Sequence, residues 1–202
     1  YMNKLILLLI SLLLSQTIFA KDIRDRIKKI DWEGIEVVWL EDNRFPTYDI
    51  IMYFADGALS DGLYSKGETS SMFSMLENGT RRFSQKDLSD HLEYFGTSYS
   101  PYVTHEYAIY SVSGLVKDVL PAMKMICHMF KDASFPENEI KKVKKLWKNK
   151  LQNLVNSQGA LAGRAFRELS LKGSPYNYPV AGKLSDIKKI NQKGLLSKRD
   201  YF

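Results

Sequence analysis

The residues best suited to proton transfer or metal binding in this sequence are its three histidines. With their polar neighbours they are His91 with Glu93, His105 with Glu106, and His128 with Cys127. The pair at 91 and 93 lies on the exposed side of a predicted helix, and the pair at 105 and 106 flanks a predicted turn. Both are interpreted as surface polar residues rather than ligands. Adjacent residues on a helix point apart, so Cys127 and His128 are not expected to form a catalytic dyad.

A second candidate is the stretch GETSSMFSMLENGT, residues 67–80. It is predicted to be a helix that follows a loop containing glycine and aspartate, and such positions often carry catalytic groups. Yet Ser70, Ser71, Phe73 and Ser74 include no ionisable side chain. The sequence therefore raises the question of whether this helix performs chemistry or only packs.

The elements around that helix come in blocks of strands and blocks of helices. Residues 35–42 and 46–57 are predicted to pair as a hairpin because they are rich in β-branched and aromatic residues and flank a turn signal. Residues 97–103 and 106–115 alternate polar and apolar types, which predicts two half-buried strands. Helices are expected between the two strand pairs and after the second. This order indicates an α+β fold, an antiparallel sheet with helices on one side, rather than a doubly wound parallel sheet.

The composition fits one globular domain with a hydrophobic core. The chain has 202 residues, a formal charge of +6 and 45% hydrophobic residues. Its lysines concentrate in residues 141–150, which is interpreted as the solvated face of a helix, so no nucleic-acid partner is expected. The single cysteine, Cys127, excludes an internal disulfide and is predicted to be a small buried hydrophobe.

The N-terminus has the pattern of a secretory signal peptide at residues 2–20. Lys4 supplies the positive charge, residues 5–14 are apolar, and Ala20 is the small residue before the expected cleavage site. The apolar run is short for a membrane span, so no stable span is expected after cleavage, although an uncleaved anchor is the alternative. We therefore expect a periplasmic or secreted protein with a lead-in segment at 21–34.

Four strings, in this order, resemble the N-terminal domain of the M16 peptidase family of pitrilysin, insulinase and mitochondrial processing peptidase. They are DGALSDGLYSKGETSSM (56–72), NGTRRFSQKDLSDHLEYFGT (78–97), FPENEIKKVKK (135–145) and GSPYNYPVAGKLSDIKKI (173–190). The resemblance implies an M16 metallohydrolase-type domain over residues 35–202. It also implies that the C-terminal part of this domain and a second domain are missing from this sequence.

Active members of that family carry the sequence HxxEH on the helix that residues 67–80 resemble. Two histidines four residues apart share a helix face and can hold one zinc ion, while the glutamate acts as general base. The resemblance places the histidines at Ser70 and Ser74, the general base at Phe73, and a further glutamate ligand at Lys150, or at Asn149 if the register shifts by one. None of these residues suits its role, and no two of the three histidines lie four apart. No catalytic residue, metal ligand or zinc cofactor is therefore expected in this chain.

The sequence leaves two interpretations open for Lys150 and two for the tyrosines of the loop at 173–182. Lys150 falls on an apolar stripe of its predicted helix, so it either faces inward near the position of the lost metal or extends along the helix edge. Tyr176 and Tyr178, in the loop at 173–182, either contact peptide through their rings or pack within the protein.

The resemblance implies a non-catalytic subunit that forms a heterodimer with an active M16 zinc peptidase and helps to bind extended peptides along a sheet edge. Zinc would then be present only in the partner. The alternatives are a stand-alone periplasmic scaffold for peptides or proteins, and a zinc metallopeptidase that works alone.

Overall fold

The computed structural model describes residues 23–62, 65–154 and 156–202. They divide into two compact units, one ending at Phe45 and the other spanning Pro46–Phe202. The predicted signal peptide at 2–20 lies outside the described residues. No described helix combines the length and the apolar character that crossing a membrane requires.

The first unit is a short helix followed by a hairpin. Helix α1 spans Ile23–Arg26, and strands β1 (Ile27–Trp32) and β2 (Ile35–Leu40) pair antiparallel with Trp32 opposite Ile35. The predicted hairpin between residues 35–42 and 46–57 is therefore wrong. The partner of β2 lies in the segment that was interpreted as a polar lead-in.

The turn between β1 and β2 explains this pairing. Glu33 and Gly34 have φ angles of 52° and 87°, and two consecutive positive φ values give the tight two-residue turn that joins antiparallel strands. The backbone N–H of Gly34 donates to Oδ1 of Asp31 at 3.0 Å, which fixes the turn further. Lys28 and Lys29 interrupt the alternation of β1, so the sequence pattern conceals this strand.

The second unit contains a three-stranded antiparallel sheet. Its strands are β3 (Thr47–Phe54), β4 (Ser98–Val103) and β5 (Ala108–Leu115), and β5 lies between the other two. Strands β4 and β5 match the two strands predicted from alternation, so that prediction is confirmed.

The helices of the second unit follow the predicted block order. They are α2 (Glu68–Met75), α3 (Gln85–Tyr94), α4 (Val119–Asp132), α5 (Glu137–Leu154), α6 (Gln158–Ser170), α7 (Leu184–Ile187) and α8 (Gln192–Tyr201). Helices α2, α3 and α4 contribute buried apolar residues to a common core, whereas no residue of α6 is buried.

The core lies against one face of the sheet. Tyr110 and Val112 of β5 are each 1% exposed and pack with the helices, while Ile51, Tyr53 and Tyr102 are exposed. An antiparallel sheet with helices on one side is thus observed, and the α+β fold class is confirmed.

Cys127 corrects one further expectation. Its thiol was predicted to be buried, but the residue is exposed. The inward positions of α4 are Ala122, Met125, Ile126 and Met129, and Cys127 follows Ile126 onto the outward side of the helix.

Candidate functional site

Helix α2, which carries the candidate site, is held at its start by a buried aspartate. One carboxylate oxygen of Asp61 accepts from the backbone N–H of Gly67 at 2.8 Å. The other accepts from the backbone N–H of Thr69 at 3.1 Å and from its hydroxyl at 2.6 Å. Asp61 therefore caps α2 from the preceding loop and satisfies N–H groups that lack partners within the helix.

Gly67 is required at this helix start for two reasons. Its φ is 87°, a left-handed conformation that favours glycine, and an added Cβ would lie 2.7 Å from the carbonyl oxygen of Ala181. The loop that contains Tyr176 and Tyr178 thus approaches the beginning of α2 at a distance that only glycine permits.

A lysine from the last helix completes this buried polar cluster. Nζ of Lys198 lies 3.3 Å from Oδ1 of Asp61 and donates to the hydroxyl and the carbonyl oxygen of Ser60. The pair balances two charges that would be costly to bury singly. Asp61 and Lys198 are far apart in the sequence, so no local pattern indicates that they meet.

Phe73, the position assigned to the general base, lies in the middle of an aromatic cluster. It is 1% exposed, and its ring centroid lies 5.1 Å from that of Phe54, 5.2 Å from Phe202 and 6.3 Å from Phe130. The three contacts are edge-to-face, which is a favourable arrangement for aromatic rings. This position packs the core and offers no proton acceptor.

The two positions assigned to histidine ligands carry hydroxyls. The hydroxyl of Ser74 donates to the carbonyl oxygen of Ser70 at 2.8 Å, within the same helix. Ser71, between them, is buried and donates to the carbonyl oxygen of Gly67. Ser70 and Ser74 are thus adjacent, as the i, i+4 spacing predicts, and one is hydrogen-bonded to the backbone of the other.

Lys150, assigned to the distal ligand position, is exposed on α5, and so is Asn149. The hypothesis that Lys150 faces inward near the lost metal is therefore wrong. The side of α5 that packs on the core carries Ile140, Val143, Trp147 and Leu151. Lys150 lies at the edge of this side, and its side chain is exposed.

The three histidines lie in different surroundings. The ring of His91 packs on that of Phe95 at 4.9 Å, Nδ1 of His128 lies 3.3 Å from Asp132, and Nε2 of His105 lies 2.8 Å from the carbonyl oxygen of Tyr178. Within residues 23–62, 65–154 and 156–202, no three His, Cys, Asp or Glu side chains form a group that could hold a metal ion.

Hydrogen bonds tie the two loop tyrosines to the protein. The hydroxyl of Tyr176 donates to Glu106 at 2.6 Å, and that of Tyr178 donates to Asp186. Burial, together with the hydrogen bond to Asp186, raises the pKa of Tyr178 to about 12. Packing within the protein is thus observed for both residues, and their contact with peptide stays a prediction.

A cavity of about 540 Å³ opens beside the start of α2, and the sequence did not indicate it. Its lining consists of Asp56, Leu59, Ser60, Ser65, Glu68, Gly194, Ser197, Lys198 and Tyr201. Burial raises the pKa of Glu68, Asp61 raises it further, and Lys198 acts in the opposite direction. The described lining offers hydrogen bonds to a polar group, but it contains no histidine beside a hydroxyl that would make a nucleophile and base.

The sequence over residues 37–181, more than half of the chain, matches the family model described as insulinase (peptidase family M16). The chain belongs to peptidase family M16. Among curated M16 relatives, the mitochondrial-processing peptidase subunit beta of Bos taurus is 20% identical over 156 residues, and that of Homo sapiens is 19% identical. The match covers 77% of this chain but 32% of each relative, so the chain spans about a third of their length.

Solved M16-type structures share the fold. A peptidase M16 inactive domain from Pseudomonas fluorescens superposes with a TM-score of 0.79 at 20% identity, over 86% of this chain and 42% of that one. The periplasmic protease PqqL from Escherichia coli gives a TM-score of 0.78 at 12% identity, over 87% of this chain and 20% of that one. At these identities the likeness concerns the fold.

The residues that the resemblance places at the M16 zinc positions do not fit a zinc ion. Two serine hydroxyls are poor ligands compared with imidazole, and a buried phenyl ring stands where the general base would be. We therefore derive no catalytic step through zinc for this chain.

Proposed function

We propose that this chain is a non-catalytic M16 subunit that pairs with an active zinc peptidase and helps it to degrade or process peptides. In this role the chain contributes shape and binding surface, and the partner supplies the zinc. The proposal includes a periplasmic or secreted location, supported by the signal-like pattern at residues 2–20.

The observation that carries the proposal is the environment of Phe73. A carboxylate placed among the rings of Phe54, Phe130 and Phe202 would lose its hydration without gaining a hydrogen-bond partner, which is costly. In this proposal the chain keeps the M16 fold, and the position that the resemblance assigns to the general base is part of the hydrophobic core. Restoring the catalytic residues would require rebuilding this cluster as well as exchanging single side chains.

The arrangement of α2 supports a structural role in the same way. Asp61 caps the helix and pairs with Lys198, and Ser74 donates to the backbone of the helix itself. These polar contacts hold the start and the backbone of α2 itself. A similar fold occurs in a solved chain described as a peptidase M16 inactive domain, which supports the assignment to a non-catalytic class.

Affinity purification of the tagged chain from its native host tests the proposal. We expect an M16 peptidase with an intact HxxEH sequence to co-purify, identified by mass spectrometry, and the isolated pair to cleave unstructured peptides in a chelator-sensitive manner. The tagged chain purified alone is the matched control and is expected not to cleave them. Repeated recovery of a monomer would instead favour a stand-alone scaffold, and chelator-sensitive cleavage by the chain alone would favour an independent enzyme.

A further inference from the structure

The outer edge of β4 is the feature from which a further inference follows. Strand β4 pairs with β5 on one side, and within the described residues no other strand pairs with it. An unpaired edge presents backbone N–H and C=O groups that can template the addition of another extended chain. Whether this edge can pair with another chain depends on which residues of β4 direct their backbone N–H and C=O groups away from β5.

The hairpin between β4 and β5 fixes the direction of each backbone group. The N–H of Thr104 donates to the carbonyl oxygen of Tyr107 at 2.8 Å, so these two residues form a hydrogen-bonded pair. Such pairs alternate with non-hydrogen-bonded pairs along an antiparallel ladder. Pro101 lies opposite Tyr110. Because it is an odd number of positions from Thr104, Pro101 and Tyr110 form a non-hydrogen-bonded pair in the β4–β5 ladder. The backbone nitrogen and carbonyl of Pro101 point away from β5, toward the open edge.

The far side of the sheet gives an independent check on this assignment. The N–H of Val116 donates to the carbonyl oxygen of Pro46 at 2.9 Å, which makes 46 and 116 a hydrogen-bonded position in the β3–β5 ladder. Even-numbered residues of β5 then bond to β3, and odd-numbered residues bond to β4. The two ladders agree. The residues of β4 whose backbone N–H and C=O groups face the open edge are therefore at positions 99, 101 and 103, and at 101 the proline lacks the N–H.

Proline at the middle of these three positions removes the central donor of the edge, because it has no backbone N–H. A strand added alongside β4 would receive donors from Tyr99 and Val103 only. The carbonyl of the added strand opposite Pro101 would be covered without a hydrogen bond, which opposes pairing. The outer edge of β3 differs, since Thr47, Asp49, Ile51 and Tyr53 all retain an outward N–H.

We propose that Pro101 closes the β4 edge to continuous strand pairing by an extended peptide. The inference rests on backbone geometry and holds whether or not the chain pairs with a zinc peptidase.

Peptide titration followed by amide NMR tests this inference on each edge separately. The probe is a ten-residue peptide of alternating threonine and valine with a lysine at each end. The amides of Tyr99 and Val103 report on β4, and that of Ile51 reports on β3. For the Pro101→Ala variant, we expect Kd at the β4 edge to fall by about tenfold or more relative to the unmodified chain, with no change at the β3 edge.

Ser100→Ala is the matched control, because the N–H of Ser100 points toward β5 and not toward the open edge. It is expected to leave Kd at β4 unchanged. Circular dichroism melting of both variants establishes that they are folded. The inference is overturned if Pro101→Ala does not tighten peptide binding at the β4 edge, either because both proteins bind with equal Kd or because neither binds. It is also overturned if Ser100→Ala tightens binding by the same factor.

Discussion

Nζ of Lys198, in the last helix, lies 3.3 Å from Oδ1 of Asp61, in the loop before α2, and the two side chains are 10% and 0% exposed. The contact joins a late part of the second unit to the residue that caps α2. Because both charges are removed from water, each depends on the other for its stability in the fold. The start of α2 is thus held in part by a buried charge pair.

Replacing one member of this pair should destabilise the protein strongly. We expect Lys198→Met to lower the free energy of unfolding by about 3–5 kcal/mol, because it leaves the carboxylate of Asp61 buried without its cation. Urea unfolding followed by circular dichroism measures the change. Lys86→Met removes the exposed pair with Asp90 and should have little effect. Equal losses for the two variants would contradict the role given to Lys198.

Truncation of Phe73 tests whether its position belongs to the core. Phe73→Ala should lower the free energy of unfolding by about 3–5 kcal/mol, since it opens a cavity among three other rings. The control is Phe166→Ala on α6, where the side chain is 72% exposed and the change should stay within about 0.5 kcal/mol. A small loss at Phe73 would show that this helix is not packed as described.

Glu68 should give stability a specific dependence on pH. Its pKa is raised chiefly by burial, so the folded protein holds the proton to a higher pH than the unfolded chain does. Stability therefore falls as the pH rises from the ordinary glutamate pKa through the raised native value. Glu68→Gln lacks this titration and should gain stability relative to the unmodified protein across that window. Urea unfolding between about pH 4 and about pH 8 measures the difference, and parallel curves would refute the assignment.

Two glycines with nearly the same φ angle allow the cost of backbone strain to be measured separately from the cost of a steric clash. Gly67 and Gly173 have φ angles of 87° and 86°, but an added Cβ meets backbone atoms only at Gly67. Gly173→Ala should cost about 1 kcal/mol in the free energy of unfolding. Gly67→Ala should cost about 1–3 kcal/mol more, because the loop at Ala181 must move. Thermal and urea unfolding of both variants measure the two losses of stability. Equal losses would contradict the steric clash described at Gly67.

The sequence predicted most of the fold because the elements of the second unit carry clear local patterns. Alternation in residues 97–115 identified β4 and β5, and the block order identified the α+β class. The pairing of β2 was missed because Lys28 and Lys29 conceal the alternation of β1, and because the turn Glu33-Gly34 resembles an ordinary polar segment. Pairing is a non-local property, so strand patterns alone did not determine it.

The candidate site was predictable in part. The helix containing Ser70, Phe73 and Ser74 was predicted from its residue pattern, and its relation to the M16 active-site helix came from the resemblance. The orientation of Lys150 was misjudged because an apolar stripe with mixed spacings of three and four is ambiguous at its edge. The contact between Asp61 and Lys198 and the cavity beside it depend on tertiary packing, which no local pattern records.

The zinc content of the purified chain is the most direct test of the central claim that an M16 fold is retained here without the peptidase metal site. Atomic absorption spectroscopy of the protein, after incubation with excess zinc and removal of unbound metal, gives the stoichiometry. The account predicts well below one zinc ion per chain. One tightly held zinc per chain, removable by chelator together with peptide-cleaving activity, would contradict it.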